Sequence, residues 1–374
     1  GAYDHEVPAV VKSLASRSEF VTAYTPYQPE VAQGILQALF EYQTLIARLT
    51  GLQIANASLY DGAAALVEAV NLAVAATGNQ RVICSDGVNP RWRHTMETFA
   101  KGTHHEVERL ALTNGTSAWP RPATGERAGA VVVATPNYLG CLEDLEAARQ
   151  AADQLGAKLI VCIDPVAAGV LKTPGELGAD VVVGEGQPFG QALNFGGPYL
   201  GIFACQLADV RRLPGRLVGE TVDHEGRLAY VTTLRAREQD IRREKASSNV
   251  CTNETLMAVT AAIQLGWLGT AGLREIALRS ARAARYARLA LTAIAHVEPA
   301  TGDAPVLREF ALKTPVEAEV LIERLADEGY LGGVPVREGF EGTGYEGALL
   351  VATTERRTRS EIDGLAAAFA KATR

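Results

Sequence analysis

At 374 residues the chain exceeds what one hydrophobic core ordinarily organises, and two domains sharing an interface are expected. Hydrophobic residues make up 47% and aromatic residues 6%, an Ala-, Leu-, Val- and Gly-rich mix that indicates a packed α/β protein. Net charge is −7 with both signs interspersed and no basic stripe, which argues against nucleic acid, and no apolar run is read as a membrane span or a secretion signal.

In chain order, apolar residues at helical spacing (Ile35, Leu36, Leu39, Leu45, Ile46, Leu49) predict a helix over 31–49, ended by Gly51. Asp61-Gly62 opens a second helix over 63–76, with Asp61 as its N-cap. Short β-branched runs then alternate with helices: strands over 81–85, 107–112, 130–135, 159–163 and 180–183, helices over 90–101 and 142–155. That alternation predicts a mainly parallel sheet with helices on both faces. The rhythm stops at 207–253, a charged stretch expected to be a long, partly ordered loop feeding a polar helix. Apolar helices follow over 253–268 and 272–296, then strand, helix, strand and helix over 308–312, 316–328, 349–353 and 360–371. The expected organisation is an arm and helix (1–55), a large domain (56–270), and a bridging helix with a small C-terminal α+β domain (271–374).

The five cysteines show no paired spacing, and four lie in or beside apolar segments, so reduced buried thiols are expected. No His/Cys cluster has metal-ligand spacing, and no metal is expected. A cytoplasmic or organelle-matrix enzyme scaffold fits this composition. Because the sequence opens abruptly on Gly-Ala-Tyr-Asp-His, an absent preceding segment is also expected.

Chemistry concentrates in the segment 158–204. The strand LIVCID ends in Asp164, at the strand end where open α/β sheets bind ligands, although a helix-capping aspartate would look the same. The next strand leads into Gly184-Glu185-Gly186-Gln187, and Gly196-Gly197-Pro198 follows. Asp61, Gly62 and Ala63 start a helix whose free amides suit a phosphate, or only an ordinary cap. Tyr24-Thr25-Pro26-Tyr27-Gln28-Pro29-Glu30 is stiff and aromatic, suited to reaching into a groove or across a subunit boundary. The polar cluster Ser247, Ser248, Asn249, Thr252 and Asn253 either caps the following helix or lines a pocket. Lys245 lies among Arg242, Arg243 and Glu244 on a solvated charged face, where a lysine is a poor nucleophile.

The segments AYTPYQPEVAQGILQALFEYQTLIARLTGLQIANASLYDGAAALVEA, PGRLVGETVDHEGR and LRAREQDIRREKASSNVCTN resemble the glycine decarboxylase P-protein of the glycine cleavage system. The resemblance is to its N-terminal half, which in many bacteria and archaea is a separate α subunit, and it covers the whole chain. It implies a type I pyridoxal-phosphate fold with a vacated site. In that fold an aspartate, here Asp164, faces the pyridine nitrogen and a lysine holds the cofactor; Gln187 stands in the lysine's place. Asp86-Gly87-Val88-Asn89-Pro90 likewise lacks the histidine of the catalytic half.

The resemblance further implies that pyridoxal phosphate is carried by a lysine-bearing β subunit and is not bound covalently here. The assembled α2β2 enzyme would decarboxylate glycine and pass the aminomethyl group to the lipoyl arm of the H-protein. Tyr24, Thr25 and Tyr27, with Ser248, Asn249 and Thr252, would contribute to the site at the subunit junction; Asp61, Gly62, Ala63, Asp164 and Gln187 would be vestiges of a cofactor site. The alternative is a non-catalytic scaffold that contributes no site residue.

Overall fold

The computed structural model describes residues 1–21, 26–119 and 122–374. Among them the main sheet has seven strands in the order Ile54–Ala55, Gly201–Cys205, Val181–Glu185, Lys158–Ile163, Ala130–Thr135, Arg81–Ser85, Glu106–Leu110. The last five run parallel and the first two antiparallel to their neighbours. The central strands AVVVAT and KLIVCI are apolar throughout because both faces are covered. Side chains alternate between layers. Val131, Val133, Leu159 and Val161 pack with Leu36, Leu39, Tyr42 and Ala148 on one face. Val132, Ala134, Ile160 and Cys162 pack with Leu66, Val70 and Val74 on the other. Each fully buried Val, Leu or Ile contributes about 1.5–3 kcal/mol relative to exposure, so this double layer is the main source of stability.

Local signals set the helix ends. Gln33–Thr50 stops at Gly51, whose φ of 71° is left-handed. Asp61 caps Gly62–Thr77 by accepting from the Ala64 amide at 2.7 Å. Asp144 does the same for Leu145–Leu155, which closes on Gly156 at φ 61°.

The stretch 207–253 departs from expectation. It holds an antiparallel hairpin, Val218–Val222 with Leu228–Thr232, and the charged run carries only a four-residue helix, Gln239–Arg242. The hairpin forms because two glutamines of helix Gln33–Thr50 complete its edges. Gln43 bonds both the amide and the carbonyl of Val218, each at 2.9 Å, and Gln33 does so for Tyr230. That pairing is a tertiary event with no period-2 trace in the sequence.

The two apolar helices expected after 253 form one run, Thr255–Thr292, broken at Gly269 by φ 56° and ψ −173°. By length and composition this run does pass as a membrane span, with a mean hydropathy of 1.4 in its most apolar window, which corrects the reading that none does. It packs against the helices Gln33–Thr50 and Arg359–Ala372. Beyond it lies a four-stranded antiparallel sheet (Glu298–Pro299, Glu309–Lys313, Leu349–Ala352, Val334–Pro335) backed by Ala318–Asp327 and Arg359–Ala372. Its core is built on Leu291, Phe310, Leu321, Leu349 and Phe369. Four cysteines are buried, Cys251 is exposed, and all five are free.

Candidate functional site

The parallel strands end at a crevice bordered by Asp164 and Glu185, and the amides of Gly62 and Gln187 reach it through Glu185. Asp164 both caps the turn Pro165–Gly169, accepting from Val166 N at 3.1 Å, and pairs with Arg308 from the small domain. Arg308 is buried and donates at 2.9 Å to His5 Nε2. A guanidinium only donates, so the His5 ring proton lies on Nδ1, 3.0 Å from Glu355 Oε2. A relay of Glu355, His5, Arg308 and Asp164 thus ties the N-terminal segment and small domain to the sheet. Burial pushes the Glu355 carboxyl up, but His5 and the amides facing it win and hold it at about 2. Tyr3 lies against Arg308 with its ring centroid 4.9 Å from the guanidinium carbon, and its hydroxyl donates to Glu309.

Gln187 is buried and staples the segment across the crevice. Its Oε1 accepts from Tyr3 N at 3.1 Å, and its Nε2 donates to the carbonyls of Tyr3 and Gln191, both at 2.9 Å.

The helix start at Asp61, Gly62 and Ala63 is not open to a ligand. Glu185, the last residue of its strand, accepts at Oε2 from Gly62 N (3.0 Å) and at Oε1 from Gln187 N (3.1 Å) and Leu200 N (2.9 Å). Burial raises this carboxyl to about 7 against the pull of the three amides. Trp92 roofs the cup: a Cβ on Gly62 would lie 2.2 Å from its ring. The space left in the crevice is about 80 Å³, bounded by Asn89, Trp92, Tyr138, Asp164, Glu185 and Arg308 among others.

A second concavity lies at the hairpin. About 560 Å³ is bounded by Tyr27, Arg216, Arg235, Cys251, Thr252 and neighbours. The Tyr27 hydroxyl donates to Asn253 Oδ1 and lies 3.1 Å from Thr255 Oγ1. Asn253 is itself anchored through Nδ2 to Ala57 O (2.7 Å) and Ser58 Oγ (2.8 Å). The Arg216 guanidinium carbon sits 5.2 Å from the Tyr27 ring centroid, its charge paired with Glu238. Burial raises the Tyr27 phenol despite these partners. The phenol is therefore a fixed, neutral hydrogen-bonding group at the edge of an open groove.

Tyr27 and Thr252 both border this groove, whereas Tyr24 and Thr25 lie outside the described residues. Ser248 and Asn249 do not line the groove; the Ser248 hydroxyl accepts from Val250 N at 3.0 Å. Lys245 is exposed on the turn Arg243–Lys245 and borders neither cavity. Sequence reasoning missed Tyr3, Trp92, Arg216 and Arg308. It passed over Glu185, although an acid closing the apolar run VVVGE is a readable signal.

A family model described as "Glycine cleavage system P-protein" matches residues 1–369. This chain belongs to that family. The probable glycine dehydrogenase (decarboxylating) subunit 1 of Desulforamulus reducens is 46% identical over 369 residues, 98% of this chain and 82% of that one. The crystal structure of an inhibitor-bound glycine decarboxylase (P-protein) of the glycine cleavage system matches with TM-score 0.95 and 46% identity, over 100% of this chain and 84% of that one. A sphingosine-1-phosphate lyase from Burkholderia pseudomallei, 14% identical, matches with TM-score 0.73 over 99% of this chain and 84% of its own, a likeness of fold alone. The fold is that of the type I pyridoxal-phosphate enzymes.

The crevice of this family member does not fit that cofactor. Holding it requires a lysine amine, an acid against the ring nitrogen, an anion cup and room for the ring. No lysine borders the crevice among the described residues, Arg308 holds the acid, and Glu185 fills the cup. Cofactor sites span about 300–1,000 Å³, several times the 80 Å³ that remains.

Proposed function

We propose that this chain is the first subunit of a two-subunit glycine decarboxylase, whose partner subunit carries pyridoxal phosphate and its lysine. The observation that carries this reading is the pairing of a crevice closed to the cofactor with an open groove around a fixed tyrosine, within a P-protein family member. Decarboxylation of glycine belongs to the partner's lysine-bearing site. This chain supplies architecture, a wall of that site at the subunit junction and part of the channel for the lipoyl arm of the H-protein. Tyr27 and Thr252 form that wall. Asn253 and Thr255 orient the Tyr27 hydroxyl, and Arg216 behind its ring holds the side chain in one position, so the groove presents a preset polar contact. An α2β2 assembly and a cytoplasmic location complete the proposal.

Reconstitution tests it. Glycine-dependent release of carbon dioxide is expected only when this chain, the partner subunit, pyridoxal phosphate and lipoylated H-protein are combined. Full activity without this chain would refute the reading. Tyr27→Phe in the assembled enzyme is expected to lower kcat/KM by about tenfold or more; unchanged turnover would favour a scaffold that contributes no site residue.

A further inference from the structure

We propose that Glu185 is the residue that excludes phosphorylated ligands from this chain, its carboxyl occupying from within the amide cup that would otherwise take a phosphate group. The inference draws on the family reading only for the place where a phosphate would lie. Its geometry belongs to this chain alone.

The amides of Gly62, Gln187 and Leu200 come from three segments: a helix start, the turn after one strand and the approach to the next. They converge on both oxygens of one side chain at 2.9–3.1 Å. A group accepting at both oxygens, beside the positive end of a helix, sits as a bound anion does. The carboxyl is covalently attached, so it needs no ligand concentration and loses little freedom on binding. A phosphate from solution would have to displace it and then stay beside it.

The rest of the crevice follows the same pattern. Arg308 brings a cation to Asp164, where a pyridinium would otherwise sit, and Gln187 holds the Tyr3 backbone where a lysine would otherwise point inward. Every recognition point of a phosphorylated pyridine is met internally, so this region folds to its final form without a cofactor. Glu185 is the decisive member, because phosphate is the most strongly held part of such a ligand and three backbone amides converge on this cup.

The test uses the full chain, Glu185→Ala, Glu185→Gln and inorganic phosphate as probe, with no glycine and no partner subunit, so that its outcome is separate from that of reconstitution. Phosphate is titrated while the melting temperature and the amide resonances of Gly62, Gln187 and Leu200 are followed. Glu185→Ala is expected to bind phosphate at least about tenfold more tightly than the parent chain, with those three resonances shifting. Glu185→Gln, which keeps the side chain's bulk and one accepting oxygen in the cup, is expected to bind phosphate no more tightly than the parent. A folded Glu185→Ala that binds no better than the parent would overturn the proposal, as would a Glu185→Gln that binds as well as Glu185→Ala. If Glu185→Ala folds only in excess phosphate, the cup has been refilled from solution and the proposal stands. If phosphate fails to rescue it while Glu185→Gln folds, the proposal falls.

Discussion

The crevice at the strand ends and the groove beside Tyr27 draw on the same residue types: arginine, acid, tyrosine and a side-chain amide. They use them in opposite ways. In the crevice the carboxyls of Asp164, Glu185 and Glu309 all have donors from within the chain, and only about 80 Å³ of space is left. In the groove Arg216 and Asn253 position Tyr27, and about 560 Å³ stays open with Thr252 and Cys251 at its edge. Saturation makes the first a structural joint between the N-terminal segment, the main sheet and the four-stranded sheet. Incomplete saturation leaves the second able to meet another molecule.

Breaking the joint is expected to cost most. Arg308→Met leaves Asp164 buried without its cation, and about 3–5 kcal/mol of stability should be lost in urea denaturation. Adding Asp164→Asn should recover part of it; strictly additive losses would show that the two charges are not coupled.

The next effect concerns Glu185. Its folded pKa of about 7 lies above the unfolded value, so its contribution is fully present below about pH 4.5 and is lost as pH rises through about 7. Glu185→Gln is therefore expected to gain about 3 kcal/mol relative to the parent between about pH 5 and pH 8. A difference independent of pH would remove the titration from the account.

Glu355 carries the opposite sign. Its pKa of about 2 makes its contribution present above about pH 4.5 and lost as pH falls through about 2. Glu355→Gln should cost about 2 kcal/mol near neutrality and progressively less on acidification, which denaturation curves at a series of pH values would show.

The groove should respond least in stability. Tyr27→Phe removes one hydroxyl and is expected to cost about 1 kcal/mol, while turnover of the assembled enzyme falls much further; a larger stability loss than activity loss would make the groove another joint. Finally, Cys251 should be the one thiol of the native chain that reacts with a thiol reagent, since the others are buried. Slower labelling after the partner subunit is added would place the junction at this groove. Unchanged labelling would place it elsewhere.

The α/β alternation, the strand ends at Ser85, Thr135 and Ile163 and the caps at Asp61 and Gly51 were legible in the sequence. They rest on local chemistry: apolar runs that need cover on two faces, an acid that accepts a helix amide, a glycine that turns left-handed. The place of Gln187 just after the strand Val181–Glu185 was legible for the same reason, because a position within a strand-turn-strand unit is counted along the chain. The hairpin at Val218–Val222 was not, since its edges are completed by Gln33 and Gln43 from far upstream. Nor was the cation that pairs with Asp164, because Arg308 lies 144 residues away. The sequence alone thus determined the sheet and its helices. Tertiary structure decided which cavity is filled and which stays open, because that depends on long-range pairing of charges whose separation in the chain carries no periodic trace.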